Sequence, residues 1–174
     1  MNKIDIIKKK LKKRLWSDNP DKILSYLSDQ RGNLKGYSPL LLKPKNTKDV
    51  VEIVKICNKN CISIVPQGGR TGLCGGTVPN KNGSEVILST ELMNKFIEID
   101  KDNYNLTVQS GCTLNDIKEL SVKNQRYFPL NLPSKLSCTI GGNISTNAGG
   151  SQVLKYGMAK ELVEGLEVVL PDGT

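Results

Sequence analysis

The residues best suited to chemistry lie in two glycine-dense segments. The first is Pro66-Gln67-Gly68-Gly69-Arg70-Thr71-Gly72-Leu73-Cys74-Gly75-Gly76, and the second runs from Cys138 through Thr139-Ile140-Gly141-Gly142-Asn143-Ile144-Ser145-Thr146-Asn147-Ala148 to Gly149-Gly150. Glycine has no Cβ and lets another molecule approach the backbone closely. Runs of small residues can turn successive N–H groups outward, and such nests bind phosphate oxygens. Two of them in one small chain predict a large anionic ligand, and a dinucleotide fits that description. The first segment lacks the G-x-G-x-x-G spacing, and no Gly-Lys-Ser/Thr follows it. No helical pattern follows either, so the expected anchor is the amides of Gly68, Gly69, Arg70, Thr71 and Gly72, with the Thr71 hydroxyl and the Arg70 charge assisting. In the second segment Thr139, Asn143, Ser145, Thr146 and Asn147 offer donors and acceptors that suit a planar heteroaromatic ring. The plainer readings are a tight turn for the first segment and a polar connection for the second.

Composition removes several mechanisms. The 174 residues contain no histidine, which excludes a Ser-His-Asp triad, a Cys-His pair and a histidine-ligated metal. Five cysteines, at 57, 61, 74, 112 and 138, fit no zinc spacing and predict free thiols. The net charge of +8 is concentrated at the amino end, where seven basic residues between Lys3 and Arg14 face Asp5 alone. The remaining chain is nearly balanced, and no nucleic-acid partner is expected. The amino terminus has no continuous apolar stretch, so the reading is a soluble cytoplasmic protein.

The elements that must position these segments follow from periodicity. Ile4, Ile7, Leu11 and Leu15 recur at helical spacing with lysines opposite. This basic amphipathic helix either docks by its apolar stripe or makes a weak contact through residues 1–16 with an anionic surface, at the inner face of a membrane. Pro20-Asp21 starts a short second helix. Leu40–Lys43 is a strand, Thr47 an N-cap, and a helix runs to about Asn60. Ile62–Val65 and Glu85–Leu88 are strands in a strand–helix–strand arrangement with parallel pairing. Phe96–Asp100 and Asn105–Gln109 alternate as a hairpin. Thr113 caps a helix to about Asn124, and Leu166–Leu170 is a last strand. Pro171-Asp172-Gly173-Thr174 is a turn signal after which a returning strand is expected, so the reading anticipates a longer architecture.

From Leu40 to Thr174 the chain resembles the FAD-binding domain of the vanillyl-alcohol-oxidase/PCMH superfamily. The group most similar to it holds the glycolate oxidase D-subunit, D-lactate dehydrogenase and D-2-hydroxyglutarate dehydrogenase. The resemblance is carried by Val65–Leu73, by Leu88-Ser89-Thr90-Glu91-Leu92-Met93-Asn94, by Ser137–Asn143 with Thr146–Gly150, and by Tyr156-Gly157 and Gly165–Leu170. It implies an α/β (α+β) PCMH-type fold of two α/β subdomains, truncated at the C-terminus. A basic helical extension occupies residues 1–36, an incomplete FAD-binding domain residues 37–174, and the substrate domain is absent. It also implies that Pro66, Gln67, Gly68, Gly69, Arg70, Thr71, Gly72 and Leu73 wrap the diphosphate, with Gly75, Gly76 and Thr77 close by. Pro129, Asn131, Ser134, Cys138, Thr139, Gly141, Gly142, Asn143, Ser145, Thr146, Asn147, Ala148 and Gly149 would line the flavin and its ribityl chain. Some relatives attach FAD through a histidine in the first loop. Arg70 stands there in this chain, which implies non-covalent FAD.

The sequence departs from the family where Pro133 and Leu136 replace glycines before the Ser137-Cys138 pair. Proline deletes an N–H, and leucine resists positive φ. The implied activity is hydride transfer from the α-carbon of a 2-hydroxyacid to flavin, with no catalytic side chain and no metal ligand in this chain. The other reading is a non-catalytic remnant or split-subunit module, paired with a separate chain that carries the C-terminal half.

Overall fold

The computed structural model describes residues 3–174; Met1 and Asn2, part of the basic 1–16 segment, lie outside the described residues. The chain divides into two compact units, Met1–Leu92 with Val168–Thr174, and Met93–Glu167.

The first unit is built on a four-stranded sheet. Its strands are β1 (Trp16–Ser17), β2 (Leu41–Leu42), β3 (Ser63–Gln67) and β4 (Glu85–Ser89), in the order β1-β2-β4-β3. β4 is parallel to both β2 and β3, and only β1 is antiparallel. A parallel sheet needs cover on both faces, and alternation along the strands supplies it. Leu42, Val86 and Leu88 pack with Ile53 and Cys57 of α3 (Thr47–Lys59) and with Ile7 of α1 (Lys3–Lys10). Leu41 and Ile87 point the other way, onto Ile23 of α2 (Pro20–Leu24) and Tyr26. Burial pushes the Cys57 thiol up to about 11.

The amino-terminal stripe is part of this core. Ile7, Leu11 and Leu15 are buried against Leu40 and Leu42, so these three apolar residues are already covered by protein. The helix is also shorter than its periodicity suggests. α1 ends at Lys10, and Leu15 enters the core from a separate 3-10 turn, Lys13–Leu15. Lys12, extended at ψ 138°, breaks the path.

Asn46, not Thr47, caps α3. Asn46 is extended and its side chain accepts from Asp49 N at 2.9 Å, whereas Thr47 is already helical. The buried Asp49 carboxylate then takes both Nη groups of Arg14, at 2.7 and 3.0 Å, and the Lys45 amide at 3.0 Å. This ties the 3-10 turn to the start of α3.

The second unit contains the hairpin β5 (Phe96–Asp100) and β6 (Asn105–Val108), with a register irregularity between Phe96 and Glu98. It also contains α4 (Leu114–Lys123), α5 (Ile140–Ser145) and α6 (Val153–Tyr156). Thr113 caps α4 through its hydroxyl, which accepts from Asp116 N at 3.1 Å. Leu114, Leu130, Cys138 and Ala159 form the unit's core.

The strand expected at Leu166–Leu170 does not form. No strand is assigned over that stretch, because alternation makes a strand only where a neighbouring strand completes the ladder. The turn beyond it does form. Gly173 N donates to Leu170 O and Leu170 N to Thr174 O, both at 2.8 Å, with Gly173 at φ 83°.

Two measurements check the first unit. Ile53→Ala empties a fully buried position and is expected to cost about 2–5 kcal/mol in denaturant unfolding. Arg14, through its hydrogen bonds and charge, outweighs burial and holds the Asp49 carboxyl below the usual carboxylate range. A depressed folded value means the stabilisation is full above the ordinary aspartate value of about 3.9 and fades as pH falls through the lower, folded value. Asp49→Asn should therefore lower the melting temperature at neutral pH and flatten its acid decline.

Candidate cofactor site

The first glycine segment begins inside the sheet. β3 extends through Pro66 and Gln67, two residues further than Ile62–Val65 suggests, because both pair in register with Leu88 and Ser89 of β4. Gln67 is buried, and its amide is spent internally. Nε2 donates to Tyr26 O at 2.9 Å and to Thr77 O at 2.5 Å. Gln67 thus closes the neck of the loop, and its side chain is unavailable to wrap a diphosphate. Its Oε1 is buried with no hydrogen-bond partner among the described residues.

Beyond that neck the chain is irregular, with no helix before β4. None of the five amides from Gly68 to Gly72 donates to a protein acceptor among the described residues. Backbone donors normally find acceptors, and a consecutive run of unsatisfied ones in a glycine-rich turn is an anion cradle. Nothing lies within 4 Å of where a Gly72 or Gly76 Cβ would sit. Leu73 is exposed, whereas Gly75, at φ 78°, packs against Leu34. Arg70 has φ 56°, and its guanidinium lies over the Tyr26 ring, 4.3 Å from the centroid.

Sequence reasoning missed the group beneath this loop. Tyr26 Oη donates to Glu91 Oε2 at 2.5 Å, and Lys43 forms an ion pair with Glu91 Oε1. Burial opposes ionisation of Glu91, but the hydrogen bonds from Lys43 and Tyr26 outweigh it and hold the carboxyl below its usual range. Burial first, and then Glu91, raises Tyr26. Lys43 is also raised, because Glu91 overcomes the cost of its burial. No local signal connects Tyr26 to a carboxylate 65 residues away.

The second segment differs from the expected nest. Its centre is the helical turn α5, and several of its amides are taken within the unit. Ile140 N donates to Cys112 O, Gly141 N to Ser110 O, and Asn143 N to Thr139 O, each at 2.9 Å. The Ser145 and Thr146 hydroxyls donate to the carbonyls of Gly141 and Gly142. Asn147, at φ 47°, accepts from Lys160 N at 3.0 Å. Ala148 N donates to Asn143 O at 2.7 Å. These side chains shape the turn. Two polar atoms are left over: Thr139 Oγ1 and Asn143 Nδ2 are buried and unpartnered among the described residues. Such orphans cost free energy unless something meets them.

The remaining sequence-predicted residues are spread along the same unit. Cys138 is in the core, and Ser134 O accepts from Ser137 N and Cys138 N. Pro129 lies in the irregular run before the core residue Leu130. An open cleft of about 630 Å³ lies between the Asn131–Lys135 and Gly149–Ser151 stretches. Pro133 borders it, and Leu136 is 72% exposed, so neither replacement of glycine crowds the core. Among the described residues no group of three or more His, Cys, Asp or Glu could hold a metal, and no helix is long and apolar enough to cross a membrane.

A cradle of free amides beside a cation, and orphaned polar atoms at a helical turn, fit a cofactor with a diphosphate and a polar ring. Residues 38–174 match the FAD binding domain family, and the chain belongs to it, within the PCMH/vanillyl-alcohol-oxidase superfamily. The family's cofactor is FAD. The chain is 44% identical to the mitochondrial D-2-hydroxyglutarate dehydrogenase of Danio rerio, over 89% of this chain and 29% of that protein. It is 41% identical to the mitochondrial D-2-hydroxyglutarate dehydrogenase of Arabidopsis thaliana, over 93% of this chain and 27% of that one. It therefore spans under a third of the length of these relatives. Phl p 4, a grass pollen allergen with glucose dehydrogenase activity, shares the fold at a TM-score of 0.82 and 17% identity, over 99% of this chain and 37% of that structure. The expectation of a cytoplasmic protein is corrected here. These relatives are mitochondrial enzymes, and the lack of an apolar leader stretch says nothing against such a location.

The glycines separate by what surrounds them. A Cβ on Gly150 would lie 2.3 Å from Asn131 O, so Gly150→Ala should lower the melting temperature sharply. Gly72→Ala meets nothing and keeps its N–H, so its melting temperature should match the wild type in the same scan.

Proposed function

We propose that the loop from Pro66 to Thr77 holds the FAD diphosphate through the amides of Gly68–Gly72, with Arg70 contributing positive charge. The observation that carries this reading is the run of five successive amides without an internal acceptor. In the second unit, Thr139 Oγ1 and Asn143 Nδ2 are the groups proposed to meet the polar edge of the flavin or its ribityl chain, since both are buried and unpartnered. The rest of that set, Pro129, Asn131, Ser134, Cys138, Gly141, Gly142, Ser145, Thr146, Asn147, Ala148 and Gly149, is assigned to shaping and lining. Attachment is non-covalent, because Arg70 is not a nucleophile toward the ring. Residues 37–174 form the cofactor-binding part, and residues 1–36 brace it.

Bound FAD supplies a two-electron acceptor for the α-hydrogen of a 2-hydroxyacid. The chain's own residues bind and orient, and none is proposed to move a proton. The substrate class follows from the 44% identity to a D-2-hydroxyglutarate dehydrogenase. Likeness to the glycolate oxidase D-subunit is the finer alternative within the same chemistry. The groups that orient the hydroxyacid belong to sequence outside these residues, carried on the same chain or on a separate partner chain. A weak contact of residues 1–16 with anionic lipid would use the exposed lysines, since Ile7, Leu11 and Leu15 are covered.

The purified protein should take up FAD, read by quenching of flavin fluorescence, and a D-2-hydroxyacid should bleach the bound yellow colour if the chain acts as an enzyme. Uptake without bleaching would identify a binding module. A colourless protein that ignores added FAD would overturn the cofactor reading. Thr139→Val separates the two roles of that hydroxyl. It should raise the melting temperature of the FAD-free protein, by removing an orphan that costs about 1–3 kcal/mol, and weaken FAD binding.

A further inference from the structure

We propose that Tyr26 is a positioning residue that holds Arg70 in place for the diphosphate, and that Glu91 and Lys43 in turn set Tyr26. The proposal rests on the FAD reading above and adds residues that the glycine loop does not contain. Tyr26 precedes the stretch 38–174 that matches the family.

The geometry assigns each residue a part. Arg70 Cζ lies over the Tyr26 ring, 4.3 Å from the centroid, and the guanidinium donates no hydrogen bond among the described residues. A guanidinium held over a ring by cation–π attraction, with no N–H spent on the protein, keeps its donors for bidentate phosphate binding. A non-glycine residue at φ 56° requires support from its surroundings, and the ring beneath supplies it.

Tyr26 is fixed at three points. Its ring packs with Ile23, Leu41 and Ile87, its carbonyl accepts from Gln67 Nε2 at 2.9 Å, and its hydroxyl donates to Glu91 at 2.5 Å. Lys43 pairs with the other Glu91 oxygen, so the carboxylate charge is compensated and does not cancel that of Arg70. The neighbouring segment meets the chain just past this loop. Tyr37 N donates to Asn80 O at 2.9 Å, and a Cβ on Gly36 would strike Pro79 O at 1.8 Å.

The test uses the full chain as wild type, Tyr26→Phe, Tyr26→Leu, Arg70→Gln and the Tyr26→Leu/Arg70→Gln double variant. Two readouts are taken: FAD affinity by fluorescence titration, and trypsin cleavage of the Arg70–Thr71 bond without FAD. Losing the ring should weaken FAD binding roughly 2- to 30-fold. Tyr26→Phe keeps the ring but loses the bond to Glu91, so its affinity should fall between the wild type and Tyr26→Leu. In the Arg70→Gln background Tyr26→Leu should cost nothing further, because the two residues act as one unit. Trypsin should cut after Arg70 fastest in Tyr26→Leu, with Tyr26→Phe between it and the wild type. An equal loss of affinity in both backgrounds would overturn the proposal, since Tyr26 would then act through packing alone. So would an unchanged cleavage rate. A wild type that takes up no FAD, together with faster cleavage in Tyr26→Leu, would overturn the diphosphate reading while leaving the hold of Tyr26 on Arg70 standing.

Discussion

A run of backbone donors without acceptors has to be held open by something else. In this chain the run is Gly68–Gly72, and what holds it is the end of the sheet. β3 stays paired with β4 through Gln67, and the buried Gln67 amide then bridges Tyr26 O and Thr77 O across the loop's base. Peptide groups beyond that point cannot fold back into the ladder, and glycine removes the side chains that would shield them. Both faces of the sheet are covered, by α1 and α3 on one side and by α2 with Tyr26 on the other. The first unit is thus a rigid mount for a segment whose own hydrogen bonding is incomplete.

The second unit uses small residues differently. Gly141 and Gly150 are small because Ser110 and Asn131 approach their backbones, and most amides of the Thr139–Ala148 stretch are satisfied within the unit. Its buried side-chain atoms without partners among the described residues are Arg126 Nε, Thr139 Oγ1 and Asn143 Nδ2, the last two at the α5 turn. One unit therefore has successive main-chain donors without acceptors, and the other has buried side-chain atoms without partners among the described residues.

Much of this architecture is legible in the order of residues. The spacing of Val50, Ile53 and Cys57 specifies α3, Thr113 marks the start of α4, and the Phe96–Gln109 alternation specifies the hairpin. The cap and the last strand differ from expectation through effects that local pattern does not carry. Asn46 and Thr47 are both good caps, and the backbone path leaving β2 chooses between them. Leu166–Leu170 has strand composition but no neighbouring strand among the described residues. The helical stripe to Leu15 is real as a buried surface, yet two separate turns deliver it.

Sequence alone determined that glycine clusters and βαβ alternation belong to a cofactor-binding α/β chain and that no histidine takes part, because composition and period are local quantities. Only the tertiary structure decided which donors remain free. Whether the amide of Gly68 or of Gly141 finds an acceptor depends on a carbonyl brought from elsewhere in the chain. The Tyr26–Glu91–Lys43 group under Arg70 exists for the same reason: its members are joined by the packing of distant segments.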